Sequence, residues 1–230
     1  MNELLQNSLF FGVMLSFLTY EAGILLRKKF PYAFMNPLLI SILVVILVLV
    51  VFHIDYETYN AGAKYLSYFL TPATVCLAVP LYEQFELLKR HIWAILAGIL
   101  SGAITSVVCV LVMSVIMGLS HTEYVTLLPK SITTAIGMGI SEELGGIVTI
   151  TVAVIIITGV IGNILAESIC KIFRIEERIA KGIAIGSAAH AVGTARAMEI
   201  GEVEGAMSSL SIAVSGLITV FLASFFANFY

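Results

Sequence analysis

The sequence predicts an all-α polytopic membrane protein of about seven full spans plus a re-entrant half-helix, arranged as an inverted repeat with broken helices. Three observations predict it. The chain is 60% hydrophobic and only 12% charged, with a mean hydropathy of +1.04, so its 230 residues hold about eight stretches of roughly 20 residues with short connections. Three of those stretches are interrupted, at Leu70-Thr71-Pro72-Ala73-Thr74, at Leu128-Pro129-Lys130-Ser131 and at Ala189-His190-Ala191-Val192-Gly193-Thr194-Ala195-Arg196. The basic residues, finally, gather in a few of the connecting loops. Backbone broken at membrane depth must line a cavity or be buried in protein, because lipid satisfies neither N–H nor C=O.

In chain order the apolar segments lie near 8–26, 36–53, 62–82, 92–118, 125–141, 146–168, 181–198 and 205–229. The first follows Glu3 and precedes Arg27-Lys28-Lys29, the reverse of a secretory signal, so it reads as a retained helix. Basic loops favour the cytoplasm, which places the N-terminus outside, Arg27–Lys29 inside, the acidic stretch Asp55–Tyr59 outside and Lys89-Arg90-His91 inside. The fifth segment decides the rest. If 125–141 crossed, Lys171, Arg174, Arg178 and Lys181 would lie outside; if it enters from outside and returns, nine of the twelve basic residues are cytoplasmic. Its short length, Pro129 near its start and Gly137, Gly139, Gly145 and Gly146 near its end also suit a re-entrant segment. The expectation is one integral domain, residues 1–230, in the inner (plasma) membrane, with the C-terminus inside and inverted repeats over 36–118 and 146–229.

Composition and motifs exclude several classes. A net charge of −3 offers nothing to nucleic acid, and no nucleophile elbow, phosphate loop or zinc-binding His pair is present, so no enzyme, cofactor or metal is expected. Cys76, Cys109 and Cys170 have no metal or disulfide spacing.

Inverted repeats with paired broken helices place a solute site at the membrane midplane, where half-helix ends receive an anion. The candidate binding residues are therefore those of the three interruptions: Thr71, Pro72 and Thr74; Pro129, Lys130, Ser131, Thr133 and Thr134; and His190, Gly193, Thr194 and Arg196. Lys130 either meets a solute or snorkels to the interface, and the same pair of readings applies to Arg196. The hydroxyls either donate to a carboxylate or bond back to their own helix. His190, deep in a span, and Glu21, in the first helix, are the candidates for proton coupling. Ser208, Ser211, Ser215 and Thr219 on one face of the last helix read as a packing face, as do Gly98-x-x-x-Gly102 and Gly182-x-x-x-Gly186.

The run Leu70-Thr71-Pro72-Ala73-Thr74-Val75 continuing to Ala78-Val79-Pro80-Leu81-Tyr82, then Leu128–Thr134, then His190-Ala191-Val192-Gly193-Thr194-Ala195, resembles the signature segments of the LrgB/CidB family over nearly the whole chain. Ala135 stands where relatives carry proline after the paired threonines. The resemblance implies either of two functions. One is a secondary transporter of small organic anions, pyruvate-, glycolate- or glycerate-like monocarboxylates, working by alternating access; that is the reading the broken helices favour. The alternative is an antiholin-like regulator of murein hydrolase export and cell lysis. It also implies a holin-like LrgA/CidA-type membrane partner and a homodimer.

Overall fold

The computed structural model describes residues 10–30, 35–76 and 78–230, the side chains of Leu70, Thr71, Thr74 and Leu81 excepted. Its ordered elements are helical throughout the described residues, and they form two compact units, 1–76 and 77–230. Among the described residues four helices are long and apolar enough to cross a membrane: α1 (Phe10–Lys29), α6 (Phe85–Met117), α9 (Val148–Ile172) and α11 (Glu202–Phe226), the last extended by a 3-10 turn over Ala227–Phe229.

In the N-terminal unit α1 packs on α2 (Pro37–Val51) and on α3 (Tyr56–Ala63) through positions without bulk. A Cβ on Gly23 would lie 2.8 Å from the Pro37 carbonyl, and the Thr19 and Ser41 hydroxyls bond at 2.9 Å beside it. A Cβ on Gly12 would come closer still to the Tyr59 carbonyl. Asn36 starts α2, its Oδ1 accepting from the N–H groups of Leu38 and Leu39, with Pro37 at the first helical position where its missing N–H costs nothing.

The segment 62–82 is no single span. It divides into the end of α3, a 3-10 turn over Lys64–Phe69, α4 (Leu70–Cys76) and α5 (Ala78–Glu83). The expected break at Thr71-Pro72 is thereby displaced, because Pro72 occupies the third residue of a short helix, where proline is tolerated. The irregular backbone falls before α4 instead, in the 3-10 turn.

In the C-terminal unit α6 runs 33 residues, about 50 Å at helical rise, bending at His91 and ending on Gly118 in the left-handed conformation. A capping box, Ser120 with Glu123, opens α7 (His121–Leu127). Residues 128–133 are irregular, α8 (Thr134–Glu143) follows, and Gly145 at φ 77 turns the chain into α9. This stretch folds back on itself. Thr151 Oγ1, in the first turn of α9, lies 2.9 Å from the Thr126 carbonyl and 2.7 Å from Ser141 Oγ, so both arms of the α7–α8 hairpin stand beside the start of α9.

The helix α10 (Arg178–Ile200) also folds back, contrary to the expectation that 181–198 crosses. His190, at φ 41 and ψ −136, breaks it in the middle. Gly182 and Met198, each eight residues from His190, both pack against the first turn of α11 at Glu204 and Gly205; Gly186 and Thr194, each four residues away, both meet Ser208. In a continuous helix Gly182 and Met198 would stand about 24 Å apart. The arms therefore form a second hairpin with its tip at His190, and Ile200 returns to line the same cavity as Lys171, Arg174 and Lys181. It follows that α11 starts at the end that carries the basic loop and finishes at the other. There Tyr124 Oη donates to the Phe226 carbonyl and Tyr230 Oη to the Leu119 carbonyl. The basic loop over 171–181 and the C-terminus therefore lie at opposite ends of the C-terminal unit, whereas the expected topology puts both on the inner side.

Candidate functional site

The two hairpins enter the C-terminal unit from opposite ends, and their tips come together at the middle of α9. The first arrives through Gly137, whose missing side chain leaves room for Ile155: a Cβ there would meet the Ile155 Cδ1 and lie 3.5 Å from the Pro129 carbonyl. The second arrives through His190, whose Nε2 lies 3.0 Å from the carbonyl oxygen of that same Ile155. Gly159 and Gly162 give it space on α9, since Cβ atoms there would collide with the His190 ring and with Ala189, and Asn163 Nδ2 donates to the Val192 carbonyl at 2.7 Å.

A positive φ at a non-glycine residue costs about 1–3 kcal/mol and persists only where its surroundings hold it. Here the holders are the bond to Ile155 and the Thr194 hydroxyl, which donates to the His190 carbonyl at 3.0 Å and bonds Ser208 Oγ at 2.6 Å. With 4% of its surface exposed, His190 is a buried ring, oriented by its bond to Ile155.

Beside the tips lies a cavity of about 600 Å³. Its walls are Ser101, Gly102, Thr105, Ser106 and Cys109 of α6, Lys130 and Ser131 of the first tip, Thr158, Ile161 and Gly162 of α9, and Ala184, Ser187 and Ala188 of α10. Lys130 is half-buried there. Its Nζ donates to Ser131 Oγ at 3.0 Å, and Ser106 Oγ donates to the same oxygen at 3.0 Å. Among the described residues no carboxylate pairs with it. A partly desolvated ammonium without a counter-charge, set among hydroxyls, attracts an anion and offers it hydrogen bonds.

The candidate residues separate accordingly. Lys130 and Ser131 line the cavity; Pro129 and Thr133 shape the tip that carries them, Thr133 standing at the N-cap of α8 and Thr134 opening that helix. His190, Gly193 and Thr194 build the second tip. The backbone break falls at His190 and not at Gly193-Thr194, and Gly193 serves packing: a Cβ there would lie 2.6 Å from Ala189 Cβ and 3.1 Å from the Ile185 carbonyl. Arg196 is not in the cavity. It lies on the returning arm, ion-paired with Glu167 and Glu199, and so heads toward the basic-loop end rather than the opposite interface. Glu21 is exposed on α1, in the N-terminal unit, and Pro72 is exposed on α4, while the side chains of Thr71 and Thr74 lie outside the described residues.

Sequence reasoning passed over Thr105, Ser106, Thr158 and Ser187, hydroxyls scattered singly in apolar helices. Ser101, Thr105, Ser106 and Cys109 do recur at helical spacing along α6, which was a usable signal. At the mouth of the first hairpin, outside the membrane-spanning helices, the N–H and then the hydroxyl of Ser120 hold the Glu123 carboxyl below its ordinary range. No group of metal ligands occurs among the described residues.

A family model described as LrgB-like matches residues 16–229. Among curated proteins, the antiholin-like protein LrgB of Bacillus mycoides (strain KBAB4) is 41% identical over 221 residues, and those of Bacillus cereus (strain B4264) and Bacillus anthracis (strain CDC 684 / NRRL 3495) are 40% identical over the same length. Each alignment covers 96% of this chain and 96% of the relative. No solved structure matches the chain.

Proposed function

We propose that this chain, which belongs to the LrgB-like family, acts in the cell membrane as an antiholin-like protein that restrains lysis together with a smaller holin-like membrane partner. The observation that carries this reading is end-to-end similarity, at about 40% identity over 96% of both chains, to proteins named antiholin-like. Its test is co-expression in bacteria. Together with a holin-like membrane protein, the chain delays lysis and lowers the murein hydrolase activity recovered outside the cells; unchanged lysis timing in its presence removes the reading.

A second reading, transport of a small organic anion, draws on a separate observation: Lys130 without a carboxylate partner, in a hydroxyl-lined cavity where two broken helices meet. Regulation by helix association alone requires no irregular backbone at membrane depth. One ammonium and several hydroxyls suit a monocarboxylate carrying a hydroxyl or keto group. The hairpin-plus-helix pairs 121–172 and 178–226 run in opposite senses, and we read them as the inverted pair in place of 36–118 and 146–229. Uptake of labelled pyruvate, glycolate and lactate into proteoliposomes tests it, and Lys130→Gln should weaken the solute by about 2 kcal/mol, the worth of a charge-assisted hydrogen bond, or roughly 30-fold. Equal uptake by wild type and Lys130→Gln would remove Lys130 from the site.

A further inference from the structure

We infer that the Lys130 cavity is reached from one end of the protein only, the end carrying the basic loop, along the groove between α6 and the first arm of α10. The inference rests on the reading of that cavity as an anion site.

Two observations carry it. A second cavity of about 580 Å³ lies between α6 and α10, starting at His91 and Glu177 near the basic-loop end. It shares Ser101, Gly102, Ala184 and Ser187 with the Lys130 cavity, so the two adjoin along the same seam. Gly98 and Gly102 keep the passage from filling: Cβ atoms there would reach to 3.3 Å from Ile183 Cγ2 and 3.0 Å from Ser187 Oγ, closing α6 onto the arm.

At the opposite end, the space between α6, α7 and α11 is solid. Val107, Val110, Tyr124, Val125, Leu128 and Ala223 pack there, none more than 5% exposed, with Tyr124 tied to the Phe226 carbonyl at 2.9 Å. A solute leaving by that end must first separate α7 from α11. The protein therefore stands with one gate open and one shut, and the Tyr124 cluster is the shut gate. Alternating access requires that asymmetry.

Cys109 lines the inner cavity and is exposed, which makes it a native reporter. The full chain with Cys76→Ser and Cys170→Ala, reconstituted in vesicles, would be treated from each side with an impermeant anionic methanethiosulfonate; a cysteine introduced at Arg174 in the cysteine-free background identifies the basic-loop side. Cys109 should react from that side alone. Ala184→Phe and, from the opposite wall, Ser101→Phe should each slow the reaction at least about tenfold, equivalent to roughly 1.4 kcal/mol of barrier. Two plugs are used so that one misfolded variant leaves the other as the test, and size-exclusion profiles tell folded from aggregated protein. Reaction from the other side, from both sides equally or from neither overturns the inference, as does a rate that neither folded plug changes. Because labelling needs no flux, one-sided and plug-sensitive reaction in a protein that transports nothing upholds the passage while the transport reading falls.

Discussion

Gly186→Ala measures whether both arms of the α10 hairpin lie on α11. A Cβ at Gly186 would fall 2.5 Å from the Ser208 carbonyl oxygen and 2.8 Å from its Cα and Oγ. Two of those atoms are backbone, so α10 and α11 must separate by about 1 Å to restore ordinary contact. Overpacking of this kind costs about 1–3 kcal/mol. The separation also stretches the buried Thr194–Ser208 hydroxyl bond, 2.6 Å long in the native protein, at a further cost of about 1 kcal/mol. Replacing glycine by alanine inside a helix returns about 1 kcal/mol. The net destabilisation is about 1–3 kcal/mol, a fall of several degrees for a protein of this length. Gly139→Ala, in α8 with nothing within 4 Å of its Cβ, keeps only the helical gain and should melt at or slightly above wild type. Thermal melts in detergent, followed by fluorescence-detected size exclusion, compare the two. A Gly186→Ala protein as stable as Gly139→Ala would refute the packing of the first arm on Ser208, and with it the fold-back.

Cysteines introduced at Arg178 and Glu202 should both be labelled from one side of the membrane and a cysteine at His121 from the other; Arg178 and Glu202 labelled from opposite sides would mean that α10 crosses. Arg196→Gln leaves Glu167 and Glu199 without their shared partner, so it should lower stability by about 1 kcal/mol or less, as befits partly exposed pairs, while leaving solute affinity unchanged. Loss of affinity in stable protein would return Arg196 to the site. The carboxyl of Glu123 is held below its unfolded value by Ser120, so its contribution to stability is present above the unfolded pKa and is lost as pH falls through the folded one. In acid the wild-type melting point should fall more steeply than that of Glu123→Gln; identical acid profiles would show that the capping box is not formed.

The first hairpin was legible because proline, glycine and loop charge all acted on the same stretch: Pro129 cannot donate, Gly137, Gly139, Gly145 and Gly146 crowd its end, and the basic loop over 171–181 disfavours a crossing. None of those signals marks the second. The segment 181–198 is as long as a span, the tip is a histidine where glycine is the usual signature of positive φ, and the returning end at Gly201-Glu202 carries no basic residue to report its side. The small residues Gly182, Gly186, Thr194 and Ser208 were readable as a packing face. That both arms pack on the same turns of α11 is a tertiary fact, fixed by pairs of contacts equidistant from His190, and periodicity within one helix carries no trace of it.

Both hairpins depend on one helix, and that dependence bears on which of the two functions the fold can perform. The Ile155 side chain meets the first hairpin at Gly137, its carbonyl faces the ring of His190, and Gly159 and Gly162 let the second tip sit against the backbone of α9. Moving the first hairpin away from α9 breaks the bond from Thr151 to the Thr126 carbonyl, and moving the second breaks those to the Ile155 and Val192 carbonyls; acceptors stripped of a donor at membrane depth find none in lipid. A carboxylate cannot stand in for those donors, being itself an acceptor, whereas Lys130 and the cavity hydroxyls can donate. Any rearrangement that opens the Tyr124 end must therefore carry α9 along with at least one hairpin tip, so that the strained His190 and its bond to Ile155 travel as a unit. Such rigid-body displacement of a hairpin with its helix is the motion a carrier needs. A regulator that acts through its outer faces has no use for the strain at His190, and the cost of holding it there is the physical reason to test transport alongside lysis.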